Sequence, residues 1–193
     1  MHRVSVALIH HPVVDKNGEA ITAAVTALDL HDIARAAKTF GVGAFYVVTP
    51  LEDQQLLVRQ IIDHWVTGYG ATYNPDRRAA LSLIRLQPSL AAVLDDLSQA
   101  QGSRPKTVVT SARLRQGDLS CAGLRDLVKR EPSVLLLFGT AWGLAPAVMA
   151  QADYRLAPIQ GTGEYNHLAV RSAVSIILDR IAGQREAGSL LPA

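Results

Sequence analysis

The sequence contains few of the residues that several classes of protein require. Cys121 is the only cysteine among 193 residues, which excludes an internal disulfide and a cluster of thiolate metal ligands. No apolar run reaches the ~18 to 20 residues that cross a bilayer. The N-terminal stretch MHRVSVALIHHP lacks the apolar length and the small-residue cleavage site of a signal peptide. These absences predict a cytoplasmic protein with no membrane segment.

The common nucleotide and hydrolase motifs are also missing. The chain has no GxxxxGK[ST] loop, and the stretch with Gly161, Gly163 and Asn166 lacks the third glycine of a dinucleotide fingerprint. No GxSxG is present, although Ser111 after an apolar run leaves a small chance of a serine hydrolase. The pair His10-His11 has no further ligand at zinc-site spacing, so we predict a structural role and no metal.

Positive charge is concentrated in one segment of the chain. The net charge is only +2, but residues 101–130 carry seven basic residues against two acidic ones, a local charge of +5. The basic residues are Arg104, Lys106, Arg113, Arg115, Arg125, Lys129 and Arg130. Such a segment could bind phosphates if its charges share one face. An ordinary solvated loop and helix surface remains the alternative.

Apolar runs alternate with amphipathic segments along the chain, which is 49% hydrophobic. Four short β-branched or apolar runs predict buried strands: Val4 to Ile9, Ala44 to Val48, Thr107 to Thr110 and Ser133 to Phe138. Helices are predicted at Leu30 to Phe40 with Asp29 as N-cap and Asp32 at N3, Leu51 to Thr67, Pro88 to Gln101 with Pro88 in the first turn, Cys121 to Arg130, and Val170 to Ile181 before Gly183. Gly68, Gly70 and Pro75 mark a loop. The alternation predicts an α/β fold with a parallel sheet covered by helices on both faces. We predict one domain over residues 1–184 and a flexible tail over 185–193.

Three polar loops follow the predicted strands or precede the last helix. They are Thr110 to Arg113, Gly139 to Leu144, and Gly161 to His167. In a parallel sheet, ligands bind beyond the carboxyl ends of the strands, where loop amides face outward. Serine, threonine and glycine there suit a polar cofactor.

The residues in and around these loops resemble the SPOUT superfamily of S-adenosylmethionine-dependent RNA methyltransferases. "LDLHDIARAAKTFGV" is similar to its first motif, in which a helix carries an isoleucine, then an arginine and a Phe-Gly exit: here Ile33, Arg35, Phe40 and Gly41. "LLLFGTAWGL" is similar to the second motif, and "PIQGTGEYNHLAVRSAVSIIL" to the third. The specific sequences "FGTAWGL" and "YNHLAVRSA" resemble those of one small bacterial branch of these methyltransferases.

The resemblance implies an α/β fold with a C-terminal trefoil knot, a homodimer, and S-adenosylmethionine bound in the knot. RNA, a tRNA or rRNA nucleotide, is the implied substrate. The chain departs from the motifs at four positions: Asp29, His31, Ala141 and Ala169. There the superfamily usually has asparagine, glycine, glutamate and asparagine, so the chemistry towards the substrate is expected to differ from that of 2′-O-methylating relatives.

The implied cofactor site comprises Thr110, Ser111, Ala112, Phe138, Gly139, Thr140, Gly143, Leu144, Ile159, Gly161, Tyr165, Asn166, His167 and Leu168. An alternative role for Asn166 and His167 is to cap the last helix. Arg35 is the first catalytic candidate, since a guanidinium holds phosphate or stabilises developing negative charge. Asp32 and His31 are candidates for proton transfer, as are Glu164 and His167. Arg35 could instead be a surface residue, and Asp32 a structural one.

Two other functions stay open from the sequence. One is a knotted protein that binds S-adenosylmethionine or RNA without turnover, and the other is a methyltransferase for a protein or small molecule. Exposed aromatic residues could stack on RNA bases: Tyr69, Tyr73 and Trp65, although Trp65 fits a core position. Ile176 lies off the buried stripe of the last helix and is a candidate for a subunit contact.

Overall fold

A computed structural model describes residues 1–114 and 117–183 of the chain. The strands in these residues are β1 (Val4–Ile9), β2 (Val13–Val14), β3 (Ala20–Ile21), β4 (Ala44–Val48), β5 (Ile84–Gln87), β6 (Lys106–Val109), β7 (Val134–Gly139) and β8 (Tyr154–Arg155). The helices in the same part of the chain are α1 (Ala27–Thr39), α2 (Glu52–Val66), α3 (Tyr69–Tyr73), α4 (Pro75–Leu81), α5 (Leu90–Gln101), α6 (Cys121–Arg130), α7 (Pro146–Gln151) and α8 (Val170–Ala182). The predicted flexible tail, 185–193, lies outside the described residues.

Six of the strands form one sheet in the order β5-β4-β1-β7-β6-β8. Every pairing within it is parallel. The remaining two strands form a short antiparallel hairpin, β2 with β3. Because parallel strands all end at the same edge, the loops after β1, β6 and β7 lie beside one another.

Side chains alternate between two apolar layers along the central strands, as the pleat of a strand requires. On β1, Val4, Val6 and Leu8 face one cluster, and Ala7 and Ile9 face the other. The first layer is completed by residues of α1, α2, α4, α6 and α8. The second is completed by α5 and α7. The sheet is therefore covered by helices on both faces, and the predicted fold class is confirmed.

The four predicted strands are present within one residue of their expected ends. Two strands of the sheet were not predicted, β5 and β8, nor was the hairpin. β5 is one of the two edge strands, and its sequence Ile84-Arg85-Leu86-Gln87 alternates instead of forming an apolar run. β8 is only two residues long, which is too short to give a periodic signal.

Three local predictions were wrong. Thr26, and not Asp29, is the N-cap of α1, so Asp29 occupies N3 and Asp32 lies a turn further along. Helix α5 begins after Ser89, whose hydroxyl accepts from the Ala92 N–H, so Pro88 precedes the helix. The loop predicted near Gly68 contains two short helices, α3 and α4. In each case a side-chain cap or local packing set the boundary, which composition could not locate.

No helix among the described residues combines the length and the hydropathy needed to span a bilayer.

Candidate functional site

A cavity of about 560 Å³ lies at the carboxyl edge of the sheet. It is lined by the loops after β6 and β7, by residues after the hairpin, and by the segment that leads into α8. Strands β6 and β7 are neighbours and β8 follows β6 at the edge. Because these strands are neighbours in the sheet, residues more than 50 positions apart in the sequence, such as Thr110 and Asn166, line the same cavity.

The turn after β7 forms one wall of the cavity. A side chain on Gly139 would place its Cβ 2.6 Å from the Leu144 nitrogen, so only glycine lets the chain fold back this closely. Gly143 has φ +111° and Ala141 φ +49°. The left-handed conformation is unusual for alanine, which marks this turn as strained.

The loop after β6 forms the opposite wall. The Thr110 hydroxyl donates to the Leu137 carbonyl at 3.0 Å, which ties the start of the loop to β7. The Ser111 hydroxyl accepts from the Arg113 N–H at 3.1 Å. The Arg113 guanidinium lies 5.1 Å from the centre of the Trp142 ring across the cavity. The two walls therefore meet through a cation–π contact.

The third wall is the segment between β8 and α8. Its start is fixed by backbone bonds, from Leu156 N–H to the Val109 carbonyl and from Ala157 N–H to the Leu119 carbonyl. Helix α8 begins after Ala169, which gives it no side-chain cap. The alternative interpretation of Asn166 and His167 as helix caps is therefore wrong, and both residues line the cavity instead.

Most of the residues predicted for the cofactor line this cavity. They are Thr110, Ser111, Ala112, Phe138, Gly139, Thr140, Gly143, Ile159, Asn166, His167 and Leu168. The structure does not bring the other three to its wall. Leu144 is buried under the turn, 6% exposed. Gly161 has open space around it, and Tyr165 is 82% exposed.

The predicted catalytic residues lie elsewhere in the chain. Asp32 and Arg35 line a second hollow of about 550 Å³ between α1 and α8. His31 is part of neither hollow, and its ring packs edge-on against Trp65, with centroids 5.5 Å apart. Burial, followed by the nearby Arg77 charge, lowers the pKa of His31. Trp65 packs against the core, as the alternative interpretation predicted.

One arginine borders both hollows. Arg171, at the start of α8, lies in the wall of each. Its guanidinium pairs with Asp29 at 3.3 Å and with Asp32 at 3.4 Å. Asp29 is 8% exposed and lines the larger cavity, where its carboxylate also accepts from the Thr26 hydroxyl at 2.7 Å. A buried carboxylate is thus held in the cavity wall by an ion pair and a cap.

Sequence reasoning missed several residues of the larger cavity. Asp29 was treated as a helix cap and as a departure from the first motif, but not as a residue of the cofactor site, and Arg171 was not singled out. Ala23 and Ala24 follow the hairpin, which gave no signal. Trp142 was part of a quoted motif, yet its position at the cavity could not be seen without the turn geometry.

The basic segment does not form one uniform face. Of its described residues, Arg113 is the one that lines the cavity. Lys106 pairs with Asp153 at 3.4 Å, and Lys129 pairs with Asp126 at 3.5 Å. Arg125 donates to the Arg180 carbonyl at the end of α8. Arg115 lies outside the described residues.

The pair His10-His11 lies at the end of β1. His10 is completely buried, and burial lowers its pKa to about 4 despite the opposing effect of Asp29. The Nδ1 atom of His11 is 3.0 Å from the Thr22 hydroxyl. Within residues 1–114 and 117–183, no three histidine, cysteine or acidic side chains come together as a metal site would require.

Comparison with known proteins identifies the family. A family model described as "SAM-dependent RNA methyltransferase" matches residues 3–183. The chain belongs to this family. The resemblance to S-adenosylmethionine (SAM)-dependent RNA methyltransferases is therefore confirmed at the level of the family.

Two proteins with similar sequences align with most of this chain. A tRNA (guanine-N(1)-)-methyltransferase from Oleidesulfovibrio alaskensis is 45% identical over 177 residues, which are 92% of this chain but 41% of that protein. An uncharacterized protein from Aquifex aeolicus is 40% identical over 179 residues, 92% of this chain and 87% of that protein. The chain therefore spans less than half the length of the relative with the named activity.

A solved structure has the same fold. The crystal structure of the SpoU methyltransferase AviRb from Streptomyces viridochromogenes, in complex with the cofactor AdoMet, aligns with 92% of this chain and 56% of its own, at TM-score 0.56 and 20% identity. At this identity the likeness shows the fold, and it agrees with the parallel sheet described above.

Proposed function

We propose that the 560 Å³ cavity binds SAM and that the chain transfers its methyl group to RNA. The observation that carries this proposal is the convergence of three loops on one cavity at the carboxyl edge of a parallel sheet, in a chain of this family. Eleven residues expected to hold the cofactor from the sequence motifs line that cavity.

The chemistry of the wall fits SAM. Phe138, Ile159 and Leu168 supply apolar surface for an adenine ring, while the Thr110 and Gly139 loops supply hydroxyls and backbone groups for its polar edge. Bound there, SAM would supply an activated methyl group, and the protein would supply position and proton control.

RNA is the proposed substrate, with tRNA as the first class to test. Arg113 places a positive charge at the cavity, where a phosphate of an incoming strand would gain from it. The curated relative named for tRNA and guanine N1 is more than twice as long as the matched segment. The proposal therefore names RNA as the class of substrate and does not assign the guanine N1 position of that relative to this chain.

We further propose a homodimer that joins through the hollow between α1 and α8. Within one chain Arg35 does not line the SAM cavity. If Arg35 acts on the reacting groups, a second copy must bring it there. The hollow combines Ala36, Phe40 and Ile176 with the charges of Arg35 and Arg171, and mixed apolar and charged surfaces of this kind suit a two-fold contact.

A trefoil knot and a cytoplasmic location are also part of this proposal. The knot is supported by the resemblance, and the bond from the Ala157 N–H to the Leu119 carbonyl shows that the segment after β8 pairs in parallel with the chain before α6. A cytoplasmic location is supported by the proposed RNA substrate and the lone cysteine.

One observation favours a second candidate, a protein that binds SAM or RNA without turnover. None of Arg35, Asp32 and His31 lines the cavity. Asp29 and His167 do line it and could accept a proton, so transfer within one chain is chemically open. Methyl uptake separates the two candidates.

The test pairs two exposed alanines that lie three residues apart. Ala24 lines the cavity and Ala27 does not. Ala24→Trp should fill part of the cavity and weaken SAM binding at least tenfold in isothermal titration, about 1.4 kcal/mol. Ala27→Trp should bind SAM as the unchanged protein does. The unchanged protein should also incorporate labelled methyl from SAM into unfractionated tRNA or rRNA.

Each outcome decides between the candidates. No SAM binding by the folded protein would reject the cofactor site. Equal weakening by Ala24→Trp and Ala27→Trp would mean that SAM does not bind in this cavity. SAM binding without methyl uptake into any RNA would favour the binding protein.

A further inference from the structure

Trp142 is a large apolar side chain that the fold leaves half exposed beside the cavity. It is 51% exposed and one of only two tryptophans in the chain. The other, Trp65, packs against the core. Phe138, the other aromatic residue of the cavity wall, is 1% exposed. Trp142 therefore belongs to the mouth of the cavity, and Phe138 to its floor.

The backbone beneath Trp142 is held on both sides. Its N–H donates to the Val14 carbonyl at 3.1 Å, and the Val14 N–H donates to the Gly143 carbonyl at 2.9 Å. The Gly143 N–H closes the turn on the Thr140 carbonyl at 2.9 Å. Thr140 in turn donates its hydroxyl to the Ile9 carbonyl at 3.0 Å. The turn is thus fixed to β1 and β2, while the indole it carries remains open to solvent.

The turn holds this position against a backbone cost. Ala141, immediately before Trp142, is the non-glycine residue with positive φ among the described residues, at +49°. Gly143, immediately after, has φ +111°. A strained turn that presents an exposed aromatic ring on a fixed backbone is typical of binding sites, where the geometry is set before the ligand arrives.

A positive charge completes the surface. The Arg113 guanidinium lies on one side of the indole, 5.1 Å from the ring centre, and Arg113 and Trp142 come from opposite walls of the cavity. An aromatic ring together with an arginine is the combination that receives unstacked bases and their phosphates in single-stranded RNA. Every base has a π-face, so such a platform requires no particular sequence.

We propose that Trp142, with Arg113 beside it, is the platform on which a base of the RNA substrate stacks as its nucleotide enters the cavity. The inference rests on the proposed function, and it adds that the enzyme recognises an unpaired or extruded nucleotide. Trp142 contacts the substrate and not the cofactor, because it lies at the solvent side of the cavity.

Fluorescence can test this in the full chain. In a Trp65→Phe background, Trp142 is the single tryptophan and reports on its own contacts. Addition of unfractionated tRNA or single-stranded oligoadenylate should quench its emission, whereas SAM alone should leave the emission nearly unchanged. RNA that binds in a filter assay without quenching would overturn the proposal. Equal quenching by SAM alone would also overturn it, since Trp142 would then contact the cofactor.

Variants give a second readout. Trp142→Ala should weaken RNA binding about tenfold, as loss of one base stack does, and should leave SAM affinity within twofold. Trp142→Phe should restore most of the RNA affinity. Leu56→Ala is the control, because Leu56 is a 53% exposed apolar residue outside the cavity. Unchanged RNA affinity in Trp142→Ala, or an equal loss in Leu56→Ala, would contradict the inference.

Failure of the Trp142 platform can be distinguished from failure of the proposed methyltransferase activity. Quenching by RNA with no methyl uptake would uphold the platform and reject catalysis. Methyl uptake with no effect of Trp142→Ala on RNA affinity or quenching would uphold the enzyme and reject the platform. No RNA binding by a protein that binds SAM would reject the RNA substrate and the platform together.

Discussion

His10 is a titratable residue whose burial has a measurable consequence. Its side chain is fully buried between the central strands and the segment before α1, and neither ring nitrogen has a hydrogen-bond partner among the described residues. Burial lowers its pKa from 6.5 to about 4, and Asp29 opposes the shift only in part. The folded protein therefore keeps His10 neutral at pH values where an unfolded chain would protonate it.

Stability should consequently fall as the pH falls from about 6.5 towards 4, since the unfolded state binds more protons in that window. Between pH 7 and pH 5 the His10 contribution should cost about 1 to 2 kcal/mol of unfolding free energy. His10→Leu keeps the volume and removes the titration. Urea unfolding at both pH values should show a smaller loss in His10→Leu than in the unchanged protein. If both proteins lose the same free energy of unfolding between pH 7 and pH 5, His10 has the same protonation in the folded and the unfolded state, which would contradict the prediction.

Sequence reasoning was partly successful at this scale. Gly139, Asn166 and His167 were assigned to the cofactor site because they lie in polar loops that suit a polar cofactor and that resemble the second and third motifs of the family. Asp29 and Trp142 were missed as wall residues. Their residue types fit a helix start and an ordinary loop equally well, and only three-dimensional proximity separates those roles from a binding one.

At the scale of elements, α1 depends on its first turn. The Thr26 hydroxyl accepts from the Asp29 N–H at 3.3 Å and donates to the Asp29 carboxylate at 2.7 Å. This is a reciprocal cap that also positions Asp29 in the cavity wall. Helix α8, by contrast, begins at Ala169 without any side-chain cap. Its free N-terminal amides lie at the cavity, where a ligand can accept from them.

Thr26→Ala should destabilise the protein by about 1 kcal/mol, the usual cost of a lost N-cap. Thr39→Ala is a matched control on the same helix. The Thr39 hydroxyl only donates to the Arg35 carbonyl one turn earlier, in an exposed position, so its loss should change the unfolding free energy by less than about 0.5 kcal/mol. Urea denaturation of the three proteins gives both values. If Thr39→Ala lowered the free energy of unfolding as much as Thr26→Ala, the N-cap would contribute no more than an exposed hydroxyl, contrary to the prediction.

Elements were predictable where the hydrophobic signal was long. β1, β4, β6 and β7 are central or nearly so, and their apolar runs reflect burial on both faces. β5 and β8 lie at the two edges of the sheet. An edge strand is partly exposed and can be short, so its identity depends on the neighbour it pairs with and not on its own composition.

At the scale of the whole molecule, the hollow between α1 and α8 is the proposed contact of the homodimer. Ile176 is a partly buried apolar residue in its wall. Ile176→Asp should convert the dimer to a monomer, as measured by light scattering after size-exclusion chromatography, because it replaces an apolar side chain of the contact with a charge that must lose its water. Leu56→Asp is the control, since Leu56 is 53% exposed on α2 and away from this hollow.

The same experiment bears on catalysis. If Arg35 acts on the cavity of a second copy, the Ile176→Asp monomer should still bind SAM but lose methyl transfer. A monomeric unchanged protein that transfers methyl groups would contradict both the dimer and this role of Arg35.

The sequence by itself determined the class of fold, the family and most of the cavity loops. The class of fold and the three loops follow from local chemistry, because buried apolar runs alternate with amphipathic segments and polar residues gather at the loops. The family and the cofactor residues follow from the resemblance of the motifs. Only the tertiary structure decided which loops become neighbours, because strand order brings Thr110 and Asn166, which are more than 50 residues apart in the sequence, to the same cavity as Gly139. It also decided that Arg35 lies outside the cavity and that Trp142 lies at its mouth. Such positions result from the packing of elements against one another, and no single segment of the sequence encodes them.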